Sequence, residues 1–426
     1  MKRPVKLIAI VLFACLSVSE SLLAQSLNVG RDDLQYFRLP DQRGINVFEA
    51  PKTTDVEFKG LYVRTGGDFS IQFQGLSQSN DFAANEFVEL QNNFALPTAN
   101  LNFDVQIEDG LRMHLRTYLS SRHHAEAWVK GGYFQIDKLD FVQEGFLSEF
   151  MEIARFRFGM DEINYGDTHF RRSDNARSIF NPFVGNYIMD SFSTEPFAEF
   201  SVFPGDFLGV VGISNGRLNQ APVPGDDGFS MFGKLGYDSQ IDDDLRVRVT
   251  GSFYSSTDGG TRDYLYGGDR AGGRYYNVLE GVSDERVSDF DPRFDPLFPY
   301  QTAFQLNPFV KYKGAEFFGV FENTQNGNDD VGGGFTQLGA EFLYRFGEAE
   351  KVYLGGRYNF VTGEQADDAG TQEITRINLG GGWFLTRNVL AKFEYVISSY
   401  DGDGFDNSKL QGAEFDGFVL EAVISF

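Results

Sequence analysis

LRVRVTGSF, Leu245 to Phe253, decides how the rest of the chain is read. Side chains of an extended strand point alternately to its two faces. Leu245, Val247, Val249 and Phe253 share one face, and Arg246, Arg248, Thr250 and Ser252 share the other. A soluble sheet buries the first face and wets the second. In a membrane barrel the apolar face meets lipid and the polar face lines an aqueous lumen. The other segments of the chain choose between these readings.

The N-terminus runs MKRPVKLIAIVLFACLSVSESLLAQ. Lys2, Arg3 and Lys6 precede an apolar run from Leu7 to Val18, and a small-residue region ends at Ala24. This is the layout of a secretory signal peptide, too short to span a bilayer, so residues 1–24 are expected to be cleaved off. The leader holds the one cysteine, Cys15, so the mature chain has no disulfide and no thiolate metal site. The net charge is −24; removing a leader whose three basic residues face one Glu20 leaves −26. Such a chain does not suit nucleic acid. No cofactor motif is present. The 48 glycines and 45 phenylalanines favour close-packed strands and turns, and nothing after the leader is long and apolar enough for a membrane helix.

Sixteen amphipathic segments of strand period follow: 60–78, 97–108, 111–120, 126–138, 151–160, 195–204, 206–216, 228–239, 243–255, 302–313, 314–325, 334–347, 350–362, 372–386, 387–400 and 411–426. Short connections with turn chemistry, such as Glu108-Asp109-Gly110 and Thr386-Arg387-Asn388, alternate with longer ones, such as 161–194, 256–301 and 401–410. Two places break the pattern: the connection 139–150 is too long for its side, and the one near 120–125 is too short. Short turns at one end and long loops at the other mark an outer-membrane barrel. A periplasmic β-sandwich or β-helix would not keep one clean apolar face in so many strands. The expected fold is all-β: an antiparallel transmembrane barrel of about 16 strands over 59–426. Residues 25–58 form a polar segment that plugs the pore or binds a partner.

With apolar faces outward, Arg112, His114, Arg116, Arg155, Arg157, Arg246, Arg248 and Arg357 point into the lumen, as do Lys234, Lys311, Lys313, Arg345, Arg376 and Lys392. Setting His114 aside, this makes thirteen inward cations, against five inward carboxylates: Asp104, Glu199, Glu341, Glu394 and Glu421. The acidic excess is expected in the outer loops 256–301 and 401–410, which would face outer-membrane lipid and bind divalent cations. In the third long connection, 161–194, Arg171, Arg172 and Arg177 either narrow the pore beside the wall arginines or pair with Asp161, Asp167 and Asp174 on an exterior loop.

The C-terminal FDGFVLEAVISF, with Phe418, Leu420, Ala422, Ile424 and Phe426 on one face, resembles the last strand of bacterial outer-membrane barrels. Together with the leader, the sixteen segments and RFRFGMDEINYG entering a long third loop, the chain resembles sixteen-stranded porins, closest to the phosphate-selective porin O and P type. That resemblance implies passive diffusion of small anionic or polar solutes such as phosphate, a homotrimer, and a third loop folded into the pore. The family's constriction lysine cluster has no counterpart here. The alternative is a barrel component of a secretion or assembly complex that conducts little. Barrel lipases and proteases need Ser or Asp beside His. The four histidines here, His114, His123, His124 and His169, accompany no Gly-x-Ser-x-Gly pattern, and the nearest pair, Asp167 and His169, lies in a loop. An enzyme is not expected.

Overall fold

Strand alternation closes on itself in three dimensions. The computed structural model of the chain describes residues 28–119, 127–217, 228–256, 265–267, 272–284, 290–296, 298 and 300–426. The leader expected over 1–24, His123 and His124 lie outside them. Sixteen long strands form one antiparallel ring. The first four are β1 (Tyr62–Ser79), β2 (Thr98–Glu108), β3 (Leu111–Leu119) and β4 (Ala127–Ile136). Next come β5 (Ala154–Glu162), β6 (Thr194–Val202), β7 (Phe207–Ser214) and β8 (Ser230–Gln240). The third quarter is β9 (Leu245–Ser256), β10 (Gln301–Tyr312), β11 (Ala315–Asn326) and β12 (Gly334–Phe346). The last is β13 (Val352–Glu364), β14 (Gln372–Thr386), β15 (Val389–Asp401) and β16 (Glu414–Ser425). Pairing runs from Asp68 against Ser425 to Ser79 against Glu414, so β1 and β16 seal the barrel and leave no edge. Phe426 extends the seam, exchanging two backbone hydrogen bonds with Gly67, each 3.0 Å.

The opening stretch lies in β9 as its alternation requires. Val249 and Phe253 are exposed on the outer face, whereas Arg248 and Thr250 are buried inside. Outward aromatics near the short-turn end, including Phe207, Tyr312, Tyr344, Phe346 and Trp383, form the girdle that suits a membrane–water boundary. Both ends of the ring, at Tyr62 and Ser425, lie at this short-turn end, which is the periplasmic one in such barrels. The exceptional connection 139–150 is real: residues 137–153 include a short helix, Ser148–Met151.

The interior is not an open tube. Residues 163–193 of the third long connection fold inside, almost every one buried. The described parts of 265–296 also descend into the lumen, with Leu265, Tyr266 and Tyr275 buried. From the other end, the N-terminal segment pairs Asn28–Gly30 with Tyr62–Arg64 of β1 and then enters the barrel mouth. There a 3-10 turn, Gln42–Gly44, is capped by Asp41, whose Oδ1 accepts from the Arg43 N–H at 3.0 Å.

Candidate functional site

Wall side chains hold the inserted third loop where a sheet partner would otherwise satisfy its backbone. Lys392 Nζ donates to the carbonyls of Ser178 (3.0 Å), Asn181 (3.3 Å) and Phe183 (2.9 Å). Glu394 accepts from the N–H groups of Val184 (2.8 Å) and Gly185 (3.2 Å). Gln337 and Asn359 grip Met189 and Ile188 in the same way, at 3.0 and 2.7 Å. Gly166 enters with φ +66, a left-handed conformation that glycine adopts without strain, and lies against the Gln305 amide. From the other outer insert, Arg274 reaches Glu421 at 2.8 Å and the Tyr275 hydroxyl donates to Glu394 at 2.7 Å.

All twelve arginines singled out from the sequence lie inside the barrel, and each has a polar partner, Arg345 with Glu316 at 3.0 Å and Arg376 with Ser398 at 3.4 Å among them. On β3, Arg112 bonds the Gln135 amide oxygen at 2.7 Å and lies 4.0 Å from Asp104, and Arg116 meets Asp174 at 3.1 Å. On β5, Arg155 meets Asp137 at 2.9 Å and Arg157 lies 3.6 Å from Glu199. On β9, Arg246 pairs with Asp238 at 2.7 Å, and Arg248 reaches Asp167 at 2.8 Å and Glu49 at 2.9 Å. Arg357 on β13 bonds Glu341 at 2.8 Å. In the loop, Arg171 crosses to Glu316 (2.6 Å) and Glu341 (2.5 Å), Arg172 meets Asp190 at 2.5 Å, and Arg177 bonds Glu162.

Of the two alternatives, the inward one describes the loop, which lies inside the barrel; its arginines nevertheless stand beside carboxylates rather than stacking an unbalanced positive ring against the wall arginines. Nor are the inward carboxylates five: Asp68, Asp161, Glu195, Glu316 and Glu322 are also buried on the wall. Lys313, expected inward, is instead exposed in a turn. Period two along β11 puts Glu316 and Glu322 on its inward face, so these acids were legible by the same rule as the arginines.

The N-terminal segment crosses the periplasmic mouth and bonds turns around the ring. Gln35 Nε2 donates to Asp109 Oδ1 in the β2–β3 turn at 2.9 Å, and Gln42 reaches the Ala349 carbonyl in the β12–β13 turn at 2.9 Å. The Gln42 N–H also donates to the Arg387 carbonyl of the β14–β15 turn at 2.9 Å. Further in, the Ala50 and Pro51 carbonyls accept from Arg155 at 2.7 and 3.0 Å, and Lys52 pairs with Asp137 at 3.0 Å. Glu49 pairs with Arg248 at 2.9 Å and with Lys234 at 3.4 Å. Phe48 packs among Tyr187, Phe309, Phe318 and Val320. A recess of about 270 Å³ remains between residues 42–46 and the neighbouring turns.

Above this segment and beside the inserted loop lies a cavity of about 140 Å³. Seven arginines line it (Arg38, Arg64, Arg112, Arg116, Arg155, Arg157 and Arg177), against six carboxylates (Glu49, Asp68, Asp104, Asp161, Glu162 and Glu199). Aromatic rings carry several of the guanidinium groups: Arg157 lies 4.3 Å from the Tyr133 ring centre and Arg38 lies 3.8 Å from that of Phe180. Burial opposes ionisation of the Asp167 carboxyl, but Arg248 and Lys234 outweigh it and hold it well below the usual carboxylate range. Glu49 is lowered by the same two cations against the same burial. Burial pushes His169 down from its ordinary value despite Glu162 beside it. His169 touches Glu162 and Asn164, each at 3.2 Å, while Asp167 is turned to Arg248, Lys234 and Thr250, so Asp167 and His169 do not form a pair. The other described histidine, His114, holds Asp104 at 2.7 Å. Among the acidic loops, Asp284 meets Lys409 at 2.7 Å and Asp403 accepts from the Thr371 N–H at 2.7 Å.

Solved structures with this strand ring give the comparison. OmpT of Vibrio cholerae, an outer-membrane protein folded in vitro, is similar with a TM-score of 0.53 at 13% identity, over 87% of this chain and 99% of that one. The fold is that of a sixteen-stranded outer-membrane β-barrel. The trimer form of the same OmpT gives 0.53 at 13% identity, over 86% and 100% of the two chains. The outer-membrane channel DcaP of Acinetobacter baumannii gives 0.50 at 12% identity, over 88% and 100%. No family model and no curated protein matches the sequence. With its lipid-facing apolar band, the barrel belongs to the bacterial outer membrane.

Proposed function

We propose that this porin barrel is a channel for small hydrophilic solutes that leans to anions, phosphate among them, and that residues 31–58 close its periplasmic mouth. The observation that carries the anion leaning is the cavity above that segment, where seven arginines outnumber six carboxylates. Inside low-dielectric walls a small excess of one sign is felt strongly by a passing ion, and guanidinium forks suit phosphate and carboxylate oxygens. The closure rests on the bonds from residues 35–52 to turns around the ring. On this reading the barrel works as a homotrimer, like the trimer form of the Vibrio cholerae protein.

Planar-bilayer recordings in a salt gradient test it, with the full mature chain beside a variant lacking residues 31–58. The variant is expected to conduct more, with a reversal potential on the anion side. A cation-side reversal potential refutes the anion leaning, and equal conductance refutes the closure. A second reading, a barrel of a secretion or assembly complex that conducts little, is favoured by the three inserts that fill the lumen. Silence from both proteins would select it.

A further inference from the structure

The connection 137–153 joins β4 to β5 at the end where every other described connection between barrel strands is a tight turn. Within it, Phe141 (50%), Val142 (60%), Phe146 (42%), Leu147 (52%) and Phe150 (41%) are exposed. Single exposed apolar residues are ordinary, but five within ten positions make a patch that calls for an occupant.

Three observations say what the occupant is. The connection folds against the outside of the barrel: Phe150 stacks on Phe200 with ring centres 6.0 Å apart. Phe200 faces outward from β6 and in turn meets outward Phe156 of β5 at 4.9 Å. The patch is therefore continuous with the lipid-facing wall. Part of its backbone is paired within the segment, with Phe146 N–H on the Gln143 carbonyl and Met151 N–H on the Leu147 carbonyl, both 2.9 Å, and Gly145 N–H on Asp140 Oδ1 at 2.8 Å. Each peptide group paired within the segment lowers the cost of leaving bulk water, and the rest stay hydrated at headgroup level. Finally, Asp140, Glu144, Glu149 and Glu152 outnumber Lys138 in the same stretch. That balance repels anionic headgroups and keeps the segment at headgroup level, where zwitterionic ammonium groups can meet the carboxylates.

We propose that residues 137–153 are an interfacial foot that lies in the periplasmic leaflet of the outer membrane, its aromatic face against zwitterionic phospholipid. This goes beyond the channel reading and stands whether or not the pore conducts.

The test uses the full-length protein without its leader, reconstituted in phosphatidylcholine vesicles, with a nitroxide on Phe146→Cys. Reference labels sit on Leu235→Cys, a lipid-facing position in mid-strand, and Asp243→Cys, in a tight turn at the same end. The collision ratio of oxygen to a water-soluble nickel chelate is expected at 146 to approach that at 235 and to lie well above that at 243. A ratio equal to that at 243 overturns the proposal. So does dipolar broadening between copies labelled at 146, because the patch would then be a contact between barrels. Phe146 is exposed, and resistance of the barrel to denaturation in detergent at room temperature confirms that the labelled chain is folded. If that variant does not fold, a label on Val142→Cys gives the same readout.

Discussion

Replacing Glu49 by glutamine tests the closure directly. The glutamine keeps the shape of the side chain and removes its charge from Arg248, 2.9 Å away, and from Lys234, 3.4 Å away. Breaking a buried pair can cost about 3–5 kcal/mol when the surviving partner is left unpaired. Here it is not, because Arg248 keeps Asp167 at 2.8 Å and Asp238 at 3.0 Å, and Lys234 keeps Asp167 at 2.9 Å. The loss is therefore nearer that of one charge-assisted hydrogen bond, about 1.5–3 kcal/mol. At about 1.4 kcal/mol per factor of ten, the open-to-closed ratio of the segment should rise roughly 10- to 150-fold. Amide hydrogen exchange of residues 41–50, followed by mass spectrometry, reads that ratio, since exchange there requires local opening. The fraction of time spent open in single-channel records should rise with it. Exchange that stays within about twofold of the parent, with unchanged records, would refute the closure by these charge pairs.

The wall arginines should separate by role. Arg155→Ser removes the donor to the Ala50 and Pro51 carbonyls and should raise exchange in residues 41–50, whereas Arg157→Ser, which touches Glu199 and the Tyr133 ring, should move the reversal potential toward cations with exchange unchanged. Arg155 also lines the cavity, so its loss should shift the potential too; raised exchange in Arg157→Ser is the result that would contradict the assignment. The pH response should come in two windows. Asp167 and Glu49 have depressed values, so their contribution is present above the unfolded carboxylate range, about 4, and is lost only as pH falls through their lower folded values. His169 is depressed as well, so its contribution is present above about 6.5 and is lost as pH falls through its folded value; exchange in 163–193 should therefore rise at a higher pH than exchange in 41–50. Leu235→Arg, on the lipid face at 75% exposure, should destabilise the barrel by about 2–4 kcal/mol in urea titrations from lipid vesicles, whereas a soluble surface there would be indifferent.

The strands were legible in the sequence because lipid imposes a rule that is local and uniform. Every outward side chain meets the same solvent, so Val249 and Phe253 are apolar whatever lies elsewhere in the chain, and period two follows. The tight turns are legible from their own residues and the last strand from its alternation, although the seam it closes pairs residues 357 positions apart. The over-long connection at 139–150 was visible as an anomaly of length, but its lean against Phe200 was not, since that contact joins residues about fifty positions apart. The lumen obeys no such local rule. A polar inward side chain satisfies water, a loop carbonyl or a distant carboxylate equally well, and alternation is the same in all three cases. Arg171 finds Glu316 across 145 positions, Glu49 finds Arg248 across 199, and Lys392 grips Ser178 across 214. Sequence alone therefore determined a barrel with a cationic inner stripe. Only tertiary structure decided that this stripe is met by carboxylates, two outer inserts and the N-terminal segment, because pairing inside the barrel depends on which distant residues share a level of the ring.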